Sequence, residues 1–183
     1  AAGLGGGSAD AAAALRLANA TLTDTLPLDA LHRVAASVGA DIPFFLYEEA
    51  QLATADGTTL TPVTLPADYH VMLLVPDDGA KRSTGAVYDS FDMRSGAEGF
   101  DRRVQDFRAA LASVGNARDL AAFPPNDLAS SSLTAELQVA GAFRADVSGA
   151  GPTVYGLFEH AAEARRAADV LAGHGTTFVA RPI

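Results

Sequence analysis

The sequence predicts an α+β fold, because strand-like and helix-like segments follow one another in the order that an antiparallel sheet with helices on one face requires. After residue 66 the order is strand, helices, strand, strand, helix, strand, which is typical of a ferredoxin-like arrangement. Before residue 66 there are two helical patterns and a hairpin pattern. Pro62 and Pro66 lie at the junction, so we expect one domain over residues 1–65 and a second over residues 66–183.

The first region begins with two helical segments. Residues 9–20 are rich in Ala and Leu, and Ser8 is expected to cap their helix. Apolar residues recur at helical spacing over residues 28–38, and Gly39 is expected to end that helix. Pro43 then excludes a continuous helix.

A hairpin is expected next. Asp56 and Gly57 separate two strand-like runs, residues 51–55 and 58–63, and Asp-Gly between such runs is a strong hairpin signal.

The second region alternates between strand-like and helix-like patterns of apolar residues. Pro76–Gly79 has turn chemistry, and Ser83 or Thr84 is expected to cap a helix that runs to Phe91. The other segments are strands at 69–75, 146–148, 153–158 and 176–180, and helices at 101–114, 133–143 and 161–172.

Composition excludes several classes of partner. A net charge of −9 argues against nucleic acid or an anionic membrane as the main partner. The absence of cysteine excludes disulfides and thiolate chemistry and fits a reducing compartment, so a cytoplasmic location is expected. The sequence contains no run of about 18 apolar residues, so no membrane-spanning helix is expected. The four histidines lack the spacing of metal ligands.

The first ten residues, Ala-Ala-Gly-Leu-Gly-Gly-Gly-Ser-Ala-Asp, form the most informative motif. Glycines let backbone N–H groups approach a ligand closely, and the helix start that follows carries unpaired N–H groups and a positive dipole end. The motif therefore predicts a site for a phosphate chain. A flexible Gly-Ser linker is the alternative, and the motif is neither a Walker loop nor a dinucleotide fingerprint.

Three further segments carry candidate chemistry. Asp41 lies in Gly-Ala-Asp-Ile-Pro-Phe-Phe, where it either caps a turn or acts on a substrate. Residues 148–152 form a second glycine-rich loop, which could also be a tight connection between strands. Asn126 and Asp127 are expected to cap a helix.

Taken in order along the chain, these motifs resemble those of the GHMP kinases. The resemblance implies an ATP-dependent kinase that phosphorylates an alcohol group, with ATP and Mg²⁺ as cofactors. It implies that residues 1–65 are the C-terminal part of the family's N-terminal domain, of the ribosomal protein S5 domain 2-like fold, and that residues 66–183 are its ferredoxin-like C-terminal domain. The residues that it assigns to the ATP phosphates are Ala1, Ala2, Gly3, Leu4, Gly5, Gly6, Gly7, Ser8 and Ala9.

The resemblance also assigns roles outside the first motif. Asp41 would be the catalytic residue, and the Ser8 hydroxyl would hold phosphate or Mg²⁺. The residues that it places near the phosphate or substrate are Ser148, Gly149, Ala150, Gly151 and Thr153.

Within the family, the motifs are most similar to the subfamily whose substrate is diphosphocytidyl methylerythritol, in the methylerythritol phosphate route to isoprenoids. A kinase of the mevalonate or homoserine type and a non-catalytic scaffold are the alternatives. The family carries a sizeable segment before the first motif, including a catalytic lysine. Lys81 matches a different loop, so the chain alone is expected to be inactive. A homodimer is expected through apolar residues that the segment would cover: Leu15, Leu17, Leu31, Val34, Phe44 and Phe45.

Overall fold

The computed structural model describes residues 2–77 and 83–182, which divide into two compact units. The N-terminal unit comprises residues 5–65. The C-terminal unit begins at Pro66 and also includes the short segment Ala2–Leu4. The predicted contact of Ala1 with phosphate, the end of the turn at Gly79 and the loop around Lys81 lie outside the described residues.

The N-terminal unit contains two α-helices, a short 3-10 helix and a hairpin. Its elements are α1 (Gly6–Ala20), α2 (Leu28–Val38), a 3-10 helix (Pro43–Leu46), β1 (Gln51–Thr54) and β2 (Thr59–Pro62). The strands are antiparallel with Thr54 opposite Thr59, which confirms the hairpin predicted from Asp56-Gly57.

Helix α1 begins earlier than the sequence predicted, and Ser8 is not its cap. Gly5 is the N-cap residue and has a left-handed backbone with φ of 65°, which an L-residue adopts only at a cost. Gly6 and Gly7 then form the first helical turn, so Ser8 lies inside the helix.

A small apolar core joins the helices of this unit. Its buried residues are Ala12, Leu31, Ala35, Ile42 and Leu46. Three of the apolar residues expected to be exposed are therefore covered at least in part: Leu31 is buried, and Leu15 and Phe45 pack against this core. Leu17, Val34 and Phe44 are exposed as expected.

His32 links α2 to the hairpin. Its Nε2 lies 2.9 Å from the Thr58 carbonyl oxygen and its Nδ1 lies 2.9 Å from the Tyr47 hydroxyl. Because a carbonyl can only accept, the neutral ring carries its proton on Nε2 and accepts from Tyr47 at Nδ1. This histidine has a structural role.

The C-terminal unit has a four-stranded antiparallel sheet with the order β4-β5-β3-β6. Its elements are β3 (His70–Pro76), α3 (Thr84–Met93), α4 (Phe100–Ala112), a 3-10 helix (Ala117–Ala122), α5 (Leu133–Val139), β4 (Arg144–Val147), β5 (Val154–Phe158), α6 (Ala161–Leu171), a 3-10 helix (Ala172–His174) and β6 (Gly175–Ala180). The ferredoxin-like order predicted from the sequence is confirmed.

The core of this unit lies between one face of the sheet and helices α5 and α6. Met72, Leu74 and Phe158 are fully buried on the sheet side, and Leu137 and Leu171 cover them from the helices. Each of these large side chains contributes about 1.5–3 kcal/mol by leaving water.

Several predicted boundaries in this unit are wrong. Helix α5 ends at Val139 rather than near residue 143, because Gly141 adopts φ of 106° and turns the chain into β4. Strand β4 begins at Arg144, two residues earlier than predicted, and the 3-10 helix at residues 117–122 was not predicted. Asn126 does not begin a helix; the helix that follows starts at Leu133. None of the described helices is long and apolar enough to cross a membrane.

Candidate functional site

Two glycines of the first motif are required by the fold. Gly3 has φ of 80°, and a Cβ atom there would lie 2.4 Å from the carbonyl oxygen of Ser148. Gly5 has φ of 65°, and a Cβ atom there would lie 2.7 Å from the Phe45 ring. Both positions combine a left-handed backbone with close packing, so another residue would be strained at either one.

The next two glycines are not required by the fold. Gly6 and Gly7 have helical geometry, and no atom lies within 4 Å of a Cβ atom built on either residue. Glycine inside a helix costs about 0.5–1 kcal/mol relative to alanine. Because nothing in the unit explains this cost, these two residues indicate that something outside the chain approaches their backbone.

The first turn of α1 presents N–H groups to that open space. Ala9 donates the first backbone hydrogen bond of the helix, to the Gly5 carbonyl at 2.9 Å. The N–H groups of Gly6, Gly7 and Ser8 therefore precede the intrahelical ladder and lie at the positive end of the helix dipole. This is the arrangement that binds phosphate oxygens.

Ser8 is half-buried in this first turn and supplies one hydroxyl oxygen. Within residues 2–77 and 83–182, no group of three His, Asp or Glu side chains could hold a metal ion alone. A hydroxyl fits Mg²⁺ when phosphate oxygens and water supply most of its other ligands, so the motif fits a magnesium–nucleotide complex better than a free ion.

Asp41 lies in the turn between α2 and the 3-10 helix at Pro43. The turn is closed by a hydrogen bond from the Ile42 N–H to the Gly39 carbonyl at 3.1 Å, and Ile42 and Pro43 are both buried. Asp41 itself is exposed, and none of the side-chain hydrogen bonds or ion pairs in the described part of the chain involves its carboxylate. A carboxylate on a rigid turn without a partner is available to accept a proton.

The second glycine-rich loop, residues 148–153, holds the start of the first motif. The Ser148 hydroxyl donates to the Gly3 carbonyl at 2.7 Å, and the Thr153 N–H donates to the Ala2 carbonyl at 3.2 Å. The structure thus brings Ala2–Leu4 together with Ser148, Gly149 and Gly151.

Thr153 contributes to this contact through its backbone. Its side chain is fully buried, and its hydroxyl has no hydrogen-bond partner among the described residues. The hydroxyl is therefore not positioned to contact a ligand from solution.

Asn126 fixes the shape of the second loop. Its Nδ2 donates to the Val147 carbonyl at 3.0 Å and to the Gly149 carbonyl at 2.7 Å, while its Oδ1 accepts from the Leu128 N–H at 2.9 Å. The sequence suggested a helix cap here, and the side chain instead joins two segments separated by about twenty residues.

A buried ion pair supports Asn126 from the sheet. Arg144 and Asp146 are 2.9 Å apart, and their side chains are only 11% and 9% exposed. Asp146 accepts from the Asn126 N–H at 2.9 Å, and Arg144 donates to the Phe123 and Pro124 carbonyls at 2.6 and 2.9 Å. The sequence signal that could have found this pair is the alternation of charged and apolar residues over 144–147.

Comparison with protein families identifies the class of protein to which these segments belong. The profile for the GHMP kinases N terminal domain matches residues 1–49, and the profile for the GHMP kinases C terminal matches residues 107–177. The chain therefore belongs to the GHMP kinase family, as the motifs predicted.

Comparison with individual proteins shows similarity to one kinase of this family. The chain is 36% identical over 176 residues to the 4-diphosphocytidyl-2-C-methyl-D-erythritol kinase of Chlorobium luteolum, an alignment that covers 91% of this chain and 60% of that protein. The chain thus spans about 60% of the length of the curated relatives it matches.

Solved structures give the same picture. A crystal structure of 4-(cytidine 5'-diphospho)-2C-methyl-D-erythritol kinase matches with a TM-score of 0.72 and 27% identity, over 98% of this chain and 66% of that one. A homoserine kinase from Cytophaga hutchinsonii matches with a TM-score of 0.66 at 18% identity, over 100% of this chain and 66% of that one. The second match shows the shared fold alone.

Proposed function

We propose that this chain carries the ATP-phosphate loop and the catalytic aspartate of a kinase that phosphorylates the 2-hydroxyl of 4-diphosphocytidyl-2-C-methyl-D-erythritol. The observation that carries the proposal is the pair Gly6 and Gly7, whose bare backbone faces open space at a helix start. The substrate follows from relatives that are about 35% identical over most of this chain and that bear this enzyme's name. Its reaction belongs to the methylerythritol phosphate route of isoprenoid synthesis.

The phosphates of ATP would lie against the first turn of α1. Backbone N–H groups from Gly6 to Ser8 donate to phosphate oxygens, and the helix dipole favours their charge. Mg²⁺, when bound with the nucleotide, offsets phosphate charge, and the Ser8 hydroxyl is the oxygen of this motif that fits it.

Asp41 would act on the substrate hydroxyl. It accepts the proton as the hydroxyl oxygen forms a bond to the γ-phosphorus, and the bond from that phosphorus to its bridging oxygen breaks to release ADP. Its exposure and its lack of a partner among the described residues leave the carboxylate free for this role.

The second loop would keep the first one in shape. Ser148 and Gly151 lie against Gly3, so they fix the conformation of the motif's first residues. The absence of cysteine supports a cytoplasmic enzyme, because nothing in the chain depends on an oxidising compartment.

Phosphoryl transfer tests the proposal. The residues that precede the matching glycine motif in the Chlorobium luteolum relative are fused before Ala1, and ADP release is measured with ATP and each of three alcohols. We expect turnover with diphosphocytidyl methylerythritol and not with mevalonate or homoserine.

Two variants of this chimera test the catalytic role of Asp41. Asp41→Asn should lower kcat by about 10²–10⁴-fold with little change in the KM for ATP, because the base is lost while the phosphate loop is intact. Asp24→Asn, an exposed aspartate between α1 and α2, is the matched control and should retain activity. Turnover of mevalonate or homoserine instead, or full activity of Asp41→Asn, would contradict the proposal.

A further inference from the structure

The C-terminal unit contains a cavity of about 470 Å³ that the proposed kinase chemistry does not use. Ala150, Gly151 and Pro152 form part of its wall, and most of the rest comes from helix α3, the segment between residues 128 and 133, and the 3-10 helix before β6. A volume of this size is in the range of small-molecule sites.

One wall carries a cation without a carboxylate partner. The Arg94 guanidinium donates through Nη2 to the carbonyls of Asp127 and Leu128, and it lies 5.3 Å from the centre of the Phe91 ring. Within residues 2–77 and 83–182, no carboxylate lies within 4 Å of it. Arginine has five N–H donors, so its Nε and Nη1 groups remain able to bind an anion.

Four serines line the same cavity. Ser130, Ser131 and Ser132 are consecutive and all line the cavity, and Ser90 of α3 lines it as well. Ser131 already accepts a hydrogen bond from the Leu133 N–H at 3.3 Å, which leaves its proton available for a ligand. A cavity lined by four serines and one arginine suits an anion with several acceptor oxygens.

Part of the remaining wall is apolar. Val87, Leu133 and Val147 line the cavity between the polar groups, so a ligand with only a charged head would leave part of it unfilled. The combination fits a charged head on a less polar body.

We propose that this cavity binds a small organic phosphate. The phosphate would accept from Arg94 and from the serine hydroxyls, and the organic part would lie on Val87, Leu133 and Val147. Bound there, it would also contact Ala150–Pro152, within the loop whose Ser148 hydroxyl holds Gly3.

Phenyl phosphate is the probe, because it combines a phosphate with an apolar ring. It is titrated into the ¹⁵N-labelled chain, and backbone amide shifts are followed by NMR. We expect saturable shifts at Ser90 and Ser130–Ser132. Benzyl alcohol should produce no saturable shift there at the same concentrations, because it lacks the charge that Arg94 attracts.

Four variants locate the site. Ser90→Leu fills the cavity while keeping the Arg94 charge and should weaken binding by about tenfold or more, whereas Ser90→Ala should have a small effect. Arg94→Gln should weaken binding similarly, and Arg165→Gln, an exposed arginine on α6, should not.

Three outcomes would overturn the proposal. They are shifts confined to Gly5–Ala9, which would mean that the probe binds only the first glycine motif; equal binding of benzyl alcohol; and unchanged affinity in both Ser90→Leu and Arg94→Gln. The first of these would leave the proposed kinase function intact, so the two proposals can fail separately.

Discussion

The four glycines of the first motif differ in what they do, although the sequence shows only a run of similar letters. Gly3 and Gly5 have positive φ and are crowded by Ser148 and Phe45, so the fold itself requires them. Gly6 and Gly7 are helical and uncrowded, so the fold would be more stable without them. Substitution of Gly6 or Gly7 should therefore raise stability and weaken ligand binding, whereas substitution of Gly3 or Gly5 should lower stability.

We predict that Gly6→Ala stabilises the chain and weakens ATP binding. Alanine should raise the free energy of unfolding by about 0.5–1 kcal/mol, while its methyl group occupies the space that a phosphate needs. Gly3→Ala should instead destabilise by about 1–3 kcal/mol from backbone strain alone. Gly173→Ala is the control, because Gly173 has open space and no positive φ. Thermal unfolding followed by circular dichroism and calorimetric titration with ATP measure the two effects; a stabilised Gly6→Ala with unchanged ATP affinity would contradict the site.

At the scale of elements, prediction succeeded where the pattern was local. The helix at residues 28–38 was found with its final bounds, because its apolar spacing and Gly39 both act within the segment. Strand β4 was placed late, because Arg144 is a charged residue that only a partner segment makes tolerable in a largely buried position. The contact of Gly3 with Ser148 was not predicted from sequence, since 145 residues separate them and neither motif encodes the other's position.

We predict that Asn126 is the residue on which the order of the second loop depends. Asn126→Ala removes two donors and an acceptor and leaves the Val147 and Gly149 carbonyls without this partner, at a cost of about 2–3 kcal/mol. Asn126→Asp keeps the acceptor for the Leu128 N–H but places a carboxylate, which cannot donate, against those two carbonyls. Its stability should therefore be no closer to wild type than that of Asn126→Ala. Asp127→Asn, which removes only an exposed pair with Arg103, should cost less than about 1 kcal/mol.

Hydrogen exchange separates these outcomes. Faster exchange of the Ser148 and Gly151 amides in Asn126→Ala, at a denaturant concentration where global unfolding is negligible, would support local loosening of the loop. Unchanged exchange at both amides would show that the loop holds its shape without Asn126.

The 3-10 helix at residues 117–122 has its own dependence on pH. Hydrogen bonds from the Gly115 and Asn116 N–H groups hold the pKa of Asp119 below its ordinary value. A carboxyl with a lowered pKa in the folded state contributes stability above its unfolded pKa and loses it as the pH falls through the folded pKa. We therefore expect wild type to lose stability below about pH 4 more steeply than Asp119→Asn. Urea unfolding between pH 6 and pH 2 measures this, and parallel curves would contradict it.

At the scale of the whole molecule, exposed apolar surface and net charge act against each other. The N-terminal unit exposes large apolar side chains on both helices, on the connection between them and on the 3-10 helix that follows: Leu17, Leu22, Leu26, Leu28, Val34, Val38 and Phe44. Such surface favours association by the hydrophobic effect. A net charge of −9 on every copy opposes association through repulsion that salt screens.

We predict that the chain self-associates through this unit, and more strongly as salt increases. Raising ionic strength from about 0.01 to 0.5 M shortens the screening length several-fold, so repulsion falls while apolar burial is retained; an interface built on ion pairs would weaken instead. Leu17→Lys with Val38→Lys should shift sedimentation to the monomer, because these side chains are 71% and 65% exposed and can change without loss of the core. Val139→Lys, at a 90% exposed position of the C-terminal unit, is the matched control. If Val139→Lys dissociates the assembly and the double variant does not, the interface lies on the C-terminal unit and the prediction is wrong.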